Sequence, residues 1–276
     1  MKKQLYPAAL LLSALLPVGA QAQLIAYEGF TQGTGNPALA GYSGTSEIGL
    51  SGTWSSLGGQ SMTIRDGSGG QWGTPQPNWP VAEHTAWWLT QATRSMSSTL
   101  NFTTDGTYYL SYLVQSDQSN NGSQVGFVNT AGTQELMAGL GYSGASDKGV
   151  TAYYGSLGGS VQQNGNGTDV AGWSGMNHYQ VVAEFTRASG DLSVTLNYYL
   201  GAYGGTLEST RTVDLGLVSD SFNTLTFKAD GWVNMDEIRI GTTLADVTPV
   251  PEPSVAALGG LGILLLMKIQ RRFARE

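Results

Sequence analysis

Residues 179–198 read YQVVAEFTRASGDLSVTLNY. Two runs rich in β-branched and aromatic side chains, Tyr179 to Phe185 and Leu192 to Tyr198, stand either side of Ser189-Gly190-Asp191. Such side chains fit a pleated, half-buried surface, and a short polar loop containing glycine lets the chain turn back on itself. The stretch is therefore expected to be a β-hairpin, and its pattern recurs along the chain.

Upstream, Leu24 to Phe30 reads as a short apolar strand and Met62-Thr63-Ile64-Arg65 as another, closed by the turn signal Asp66-Gly67. Thr107 to Val114, bounded by Asp105-Gly106, is the clearest strand of the first half, and Val125 to Val128 and Leu136 to Gly141 continue the series. Downstream, Leu225 to Lys228 and Val233 to Ile240 lie around Asp230-Gly231. The glycine- and serine-rich stretch Thr31 to Gly59 reads as loops. So does Gly70 to Pro80, where Trp72, Pro75, Pro77, Trp79 and Pro80 argue against a strand. Strands at roughly regular spacing without intervening helices predict an all-β, two-sheet sandwich. One domain is expected over residues 23–247, with Thr242 to Val250 as the linker to the C-terminal tail.

Composition agrees. The 276 residues include 39 glycines and no cysteine, which removes disulfide staples, thiolate zinc sites and cysteine nucleophiles. Stability must then come from a hydrophobic core. Between residues 23 and 247 seven basic residues face 18 acids, a balance of −11. So acidic a body is a poor partner for nucleic acid or an anionic membrane surface.

Both ends differ from the body. Met1, Lys2 and Lys3 start the chain positively, Ala8 to Val18 is mostly apolar, and Ala20-Gln21-Ala22 has the small-residue spacing that signal peptidase accepts. Residues 1–22 therefore read as a secretory signal. At the other end, Val255 to Met267 carries no charge and as a helix would cover about 20 Å, short of the about 30 Å hydrocarbon core. Extended over 253–269, with Lys268 snorkelling, it reaches about 25 Å, and thinning of the bilayer absorbs the rest. Lys268, Arg271, Arg272 and Arg275 crowd the end of this transmembrane helix and resist translocation, which leaves the body outside, tethered by its C-terminus. Pro251 and Pro253 keep the segment before the helix extended, the conformation that proteases bind.

Val250-Pro251-Glu252-Pro253-Ser254, an apolar helix and a basic end, in that order over 248–276, resemble the PEP-CTERM sorting domain. The resemblance implies a Gram-negative exported protein whose tail is recognised by exosortase, a membrane cysteine peptidase. It also implies transient anchoring in the inner membrane, then release to the cell envelope or extracellular matrix. Gly259, Gly260 and Gly262 weaken the helix, although glycine is frequent in membrane helices.

The body carries a second resemblance. Ala26-Tyr27-Glu28-Gly29-Phe30 and Met235 to Thr243 look like the opening and closing strands of exported proteins with concanavalin A-like or laminin G-like jelly rolls. The likeness implies that first and last strands pair, bringing Glu28 near Asp236 or Glu237.

Catalytic patterns are sparse. Glycoside hydrolysis needs two carboxylates about 5–9 Å apart, and strand periodicity favours acids at i and i+2. Asp236 and Glu237 are adjacent instead, so they are expected on opposite faces, and no strand shows E-x-D or D-x-E. Only His84 and His178 could serve as imidazole bases or ligands, and neither has H-E-x-x-H spacing. Gly141-Tyr142-Ser143-Gly144-Ala145 and Gly172-Trp173-Ser174-Gly175-Met176 both fail G-x-S-x-G at the last position, and there is no phosphate-binding loop.

Aromatics are better candidates, because the apolar face of a sugar stacks on Trp or Tyr while amides and carboxylates bond its hydroxyls. Trp72, Trp79, Trp87 and Trp88 fall close together and are the candidate glycan contacts, set against the routine use of Trp in sandwich cores. Calcium held by Asp105, Asp117 or Asp147 near glycine turns is compatible with the fold, although no D-x-D-x-D-G loop exists. No other cofactor is implied. Asn101, Asn121 and Asn166 begin N-glycosylation sequons. An echo between 41–59 and 141–159 (GYSGTS with GYSGAS, SLGG with SLGG) diverges at once beyond its ends, as chance in a Gly/Ser-rich chain would. The expectation is a non-enzymatic exported protein, adhesive or polysaccharide-binding. The rival readings are a carbohydrate-active enzyme on the same fold and a purely structural matrix component.

Overall fold

The 179–198 hairpin pairs Gln180 with Tyr199 through to Ala188 with Asp191, so its loop is Ser189-Gly190 alone. Both loop residues have positive φ, 54° and 98°, the primed-turn geometry that matches the twist of the flanking strands. Tyr179, Val181, Ala183 and Phe185 on one strand and Leu192, Val194, Leu196 and Tyr198 on the other are all fully buried. Period-two alternation puts them on one face.

The structure, a computed structural model, describes residues 23–30, 38–44, 47–57, 62–66, 80–84, 90–116, 122–142, 148–158, 178–201, 205–229 and 233–248. They form β1 (Leu24–Glu28), β2 (Leu50–Ser56), β3 (Thr63–Asp66), β4 (Pro80–His84), β5 (Thr90–Asn101), β6 (Gly106–Ser116) and β7 (Ser123–Asn129). Then come β8 (Gln134–Tyr142), β9 (Lys148–Ser156), β10 (His178–Ala188), β11 (Asp191–Leu200), β12 (Thr206–Leu217), β13 (Ser221–Ala229), β14 (Val233–Gly241) and one helical turn, α1 (Leu244–Val247). Two antiparallel sheets result. The eight-stranded sheet runs β12-β11-β10-β6-β14-β4-β3, with β1 also on β14, and the six-stranded sheet runs β2-β5-β13-β7-β8-β9.

The core lies between the sheets. Phe127 of the six-stranded sheet meets Phe185 of the other edge-on with centroids 5.5 Å apart, and Phe102 bridges Phe185 and Phe222 at 6.3 and 5.6 Å. Burying each such side chain contributes about 1.5–3 kcal/mol, enough for a cysteine-free sandwich.

First and last strands pair as the body resemblance implies. Ala26 lies opposite Ile240, Tyr27 opposite Arg239 and Glu28 opposite Ile238. β14 begins on β4, with Val233 opposite His84, and ends on β1, while β6 follows its other side with a register shift between Asp236 and Arg239. Glu237 sits at this exchange with a φ of 53°.

Five strands, β2, β4, β5, β9 and β12, lie where the sequence reading has loops or nothing. β2 falls inside the Gly/Ser-rich stretch and buries Trp54, and β5, β9 and β12 are too polar to stand out. Their polar residues alternate with buried ones or, in β12, line an edge strand that is largely solvated. β4 begins at Pro80, the first-residue position a strand tolerates, and Asp66 pairs with it.

Residues 242–248 are no free linker. Asp246 Oδ2 accepts the Thr242 and Thr243 amides at 2.9 and 2.7 Å, Ser111 Oγ donates to the Val247 carbonyl at 2.5 Å, and Val247 is fully buried. The segment is docked because its orphan amides and its apolar end both find partners in the fold. The signal segment 1–22 and the tail 249–276, with Val250 to Ser254 and the basic end, lie outside the described residues. Among the described residues no helix is long and apolar enough to cross a membrane.

The echo is not mirrored in topology. β2 and β9 occupy opposite edges of one sheet, but β2 precedes its partner β5 in the chain whereas β9 follows its partner β8. A duplicated unit would keep that order.

Candidate functional site

The outer face of the six-stranded sheet is built from the residues that alternate with the core. Across β5, β13, β7, β8 and β9 one row runs Gln91, Lys228, Gln124, Gly139, Thr151. The next runs Thr93, Thr226, Gly126, Met137, Tyr153, and a third Ser95, Thr224, Val128, Glu135, Gly155. Ala92, Phe227, Val125, Ala138 and Ala152, one step along, face the core. The outer rows are therefore polar, and yet Gln91, Gln124, Glu135, Thr151, Thr226 and Lys228 are all buried.

Glu135 is the hub. Its Oε1 accepts from Lys228 Nζ and, at 2.7 Å, from the Tyr153 hydroxyl. Its Oε2 accepts from Gln91 Nε2 at 2.8 Å. Gln91 Nε2 also donates to Thr226 Oγ1 at 3.0 Å, and Thr226 in turn donates to the Ala92 carbonyl at 3.1 Å. Lys228 Nζ lies 2.8 Å from the Tyr153 oxygen and 5.5 Å from its ring centroid. Burial lowers the Lys228 pKa while Glu135 opposes that shift, and burial, then Glu135, drives the Tyr153 phenol far above its usual range. Gln124, opposite Lys228 on β7, is the exception, for neither its amide oxygen nor its nitrogen has a hydrogen-bond partner.

Chemically, this face offers amides, hydroxyls and one committed ion pair. Among the described residues Glu135 is its single carboxylate, held by three donors, so the paired acids of glycoside hydrolysis are not assembled there.

A second cluster surrounds the β14 partner exchange. Tyr27 OH donates to Glu237 Oε1 at 2.7 Å, Arg239 donates to Glu237 Oε2 at 2.7 Å, and the Arg239 guanidinium stacks 4.7 Å from the Tyr27 ring centroid. Asp236 is buried beside them and accepts the Glu237 amide at 2.7 Å. Burial first, then the negative charges of Glu237 and Glu28, push Asp236 up to about 9, against the pull of that amide and Arg239. Glu28 lies on the core side of the exchange, as the resemblance implies, and its own pKa is raised chiefly by burial.

A carboxyl that keeps its proton when folded but has an ordinary value of 3.8 when unfolded contributes stability below that value. The contribution is lost as pH rises through about 9. Unfolding free energy is therefore expected to fall across this window and to fall less steeply in Asp236→Asn, measured by urea titration at a series of pH values. Parallel slopes for the two proteins would remove Asp236 as the cause.

Trp72, Trp79, Trp87 and Trp88 lie outside the described residues, as do Asp117, Asp147 and the signal-peptidase pair Ala20 and Ala22. Asp105 is engaged elsewhere, accepting from Arg187 Nη1 at 2.8 Å and from the Ser189 amide at 3.0 Å. Its oxygens brace the β10–β11 turn. Among the described residues no group of three His, Asp or Glu side chains could hold a metal ion. His178 pairs in register with Gln115, and burial lowers its pKa. Sequence reasoning missed Gln91, Gln124, Glu135 and Lys228. A charged residue at an alternate position of an apolar strand, as in Leu225 to Lys228, was their only local signal.

No protein-family model matches the chain, and no curated protein matches it. Among solved structures, a peanut lectin bound to a nonapeptide is similar at 10% identity and a TM-score of 0.41, covering 80% of this chain and 98% of that one. The lectin UEA-II complexed with galactose is similar at 11% identity and a TM-score of 0.40, covering 59% and 88%. A Bacillus licheniformis β-glucanase is similar at 10% identity and a TM-score of 0.33, covering 76% and 99%.

Proposed function

We propose that this is an exported protein whose sandwich, of concanavalin A-like jelly-roll type, binds polysaccharide without cleaving it. The observation that carries this reading is the polar outer face of the six-stranded sheet, where Thr93, Ser95 and Thr224 reach the surface side by side. A neutral sugar hydroxyl, both donor and acceptor, pairs with such side-chain hydroxyls. Among the described residues the one carboxylate of this face is already committed, which favours binding over hydrolysis.

The chain's ends give its destination in this proposal. Signal peptidase cuts after Ala22, the 253–269 segment holds the protein in the inner membrane, and exosortase acts at Val250 to Ser254. The body then reaches the envelope or matrix.

A polysaccharide array probed with the exported protein tests the binding. Retention is expected, without released reducing ends, and is expected to weaken at least about tenfold when Ser95→Ala and Thr224→Val are combined, equivalent to about 1.4 kcal/mol. Release of reducing ends would favour the carbohydrate-active enzyme, and no retention on any glycan the purely structural role. Replacing Pro251-Glu252-Pro253 by alanines is expected to change the mature protein's mass and location. An unchanged product would remove motif-dependent sorting.

A further inference from the structure

We propose that Lys228 and Gln91 become joined by an isopeptide bond that the protein makes itself, with Glu135 as the proton carrier. The inference goes beyond glycan binding and does not rest on it. Lys228 and Gln91 are direct cross-strand partners on β13 and β5. Their reactive ends meet the two oxygens of a single carboxylate, Lys228 Nζ on Oε1 and Gln91 Nε2 on Oε2. Amine and amide are thereby anchored on the two oxygens of one carboxylate, which makes their encounter intramolecular.

All three groups are buried, which keeps out the water that would compete for the amide carbon. Burial also favours the neutral amine, the nucleophilic form. Thr226 Oγ1 and Glu135 Oε2 both hold Gln91 Nε2, the nitrogen that leaves, and Tyr153 fixes Oε1.

The atoms balance. Glu135 takes a proton from the Lys228 ammonium, and the freed Nζ attacks Gln91 Cδ, forming the new C–N bond. Glu135 returns the proton to Gln91 Nε2, the old C–N bond breaks, and ammonia departs. The remaining proton on the former amine passes through Glu135 to the ammonia, which leaves as ammonium. No oxidant or reductant takes part, and Glu135 ends as it began. Gln124 flanks Lys228 on the other side, but its nitrogen is not held by the proton carrier, so it is not the acceptor. The bond would tie two neighbouring strands inside the six-stranded sheet in a chain that has no cysteine.

Tryptic peptide mapping of the purified full chain tests this. Peptides 66–94 and 212–239, which hold Gln91 and Lys228, are expected as one branched species, lighter than their sum by one ammonia and uncut at Lys228. In Glu135→Gln they are expected as separate peptides, with Lys228 cut. The reading on the unsubstituted protein decides the matter even if that variant folds poorly. Separate peptides from the unsubstituted protein overturn the proposal. So does a branch from Lys228 to peptide 95–148, whether to Gln124 with loss of ammonia or to Glu135 with loss of water.

Discussion

Arg94→Met is expected to lower the unfolding free energy by about 3–5 kcal/mol, the cost of leaving a buried charge without its partner. Arg94 lies on the core face of β5, 4% exposed, with Nη1 2.6 Å from Glu28 Oε2 and 3.3 Å from Glu47 Oε1. Nη2 donates to the Ser43 carbonyl at 2.5 Å. Glu28 is 0% exposed and receives two further donors, the Trp54 indole at 2.9 Å and the Phe30 amide at 3.0 Å. Methionine replaces the stem of Arg94 but not its charge, so Glu28 must either stay ionised without its cation or take up a proton. Urea unfolding at neutral pH measures the loss. Adding Glu28→Gln is expected to recover part of it, because the two changes share one interaction and do not add. A loss under about 1 kcal/mol would mean that the pair behaves like a solvated surface ion pair.

Trp54→Ala carries a comparable cost for another reason. The indole is 1% exposed, stacks on Phe30 at 6.0 Å and meets Phe227 edge-on at 5.2 Å. Removing it opens a cavity under the edge strand β2, with an expected loss of about 3–5 kcal/mol. Trp54→Phe keeps much of the ring contact and removes only the donor to Glu28, so about 1–3 kcal/mol is expected there. Calorimetric melting of the two variants separates packing from hydrogen bonding, and equal losses would show that the donor dominates.

These residues mark where the sequence could and could not be read. The 179–198 hairpin is legible because its apolar side chains recur at period two over both strands and its turn residues accept positive φ. β2 and Trp54 are not, because a glycine-rich stretch gives no period. Trp54 becomes a core residue only through the carboxylate and rings that Glu28, Phe30 and Phe227 bring to it from distant segments. β5 is hidden for a related reason. Its outward residues Gln91, Thr93 and Ser95 are polar, and its inward Arg94 is charged, so a buried strand carries the composition of a loop.

The candidate site shows the same divide. Lys228 and Glu135 are plain single charges in sequence, far apart along the chain. Only the order β5-β13-β7-β8-β9 sets an ammonium, a carboxylate, a phenol and two amides on one face.

By itself, the sequence determined the fold class, the pairing of first and last strands through a resemblance, and the expectation of export at the two ends. Those are local signals, carried by hydrophobic period, turn chemistry and ordered segments. Tertiary structure alone decided which charges are buried, which carboxylate meets which cation, and that 242–248 belongs to the fold. Burial and ion pairing depend on strand order and register between distant segments, and no local pattern encodes either.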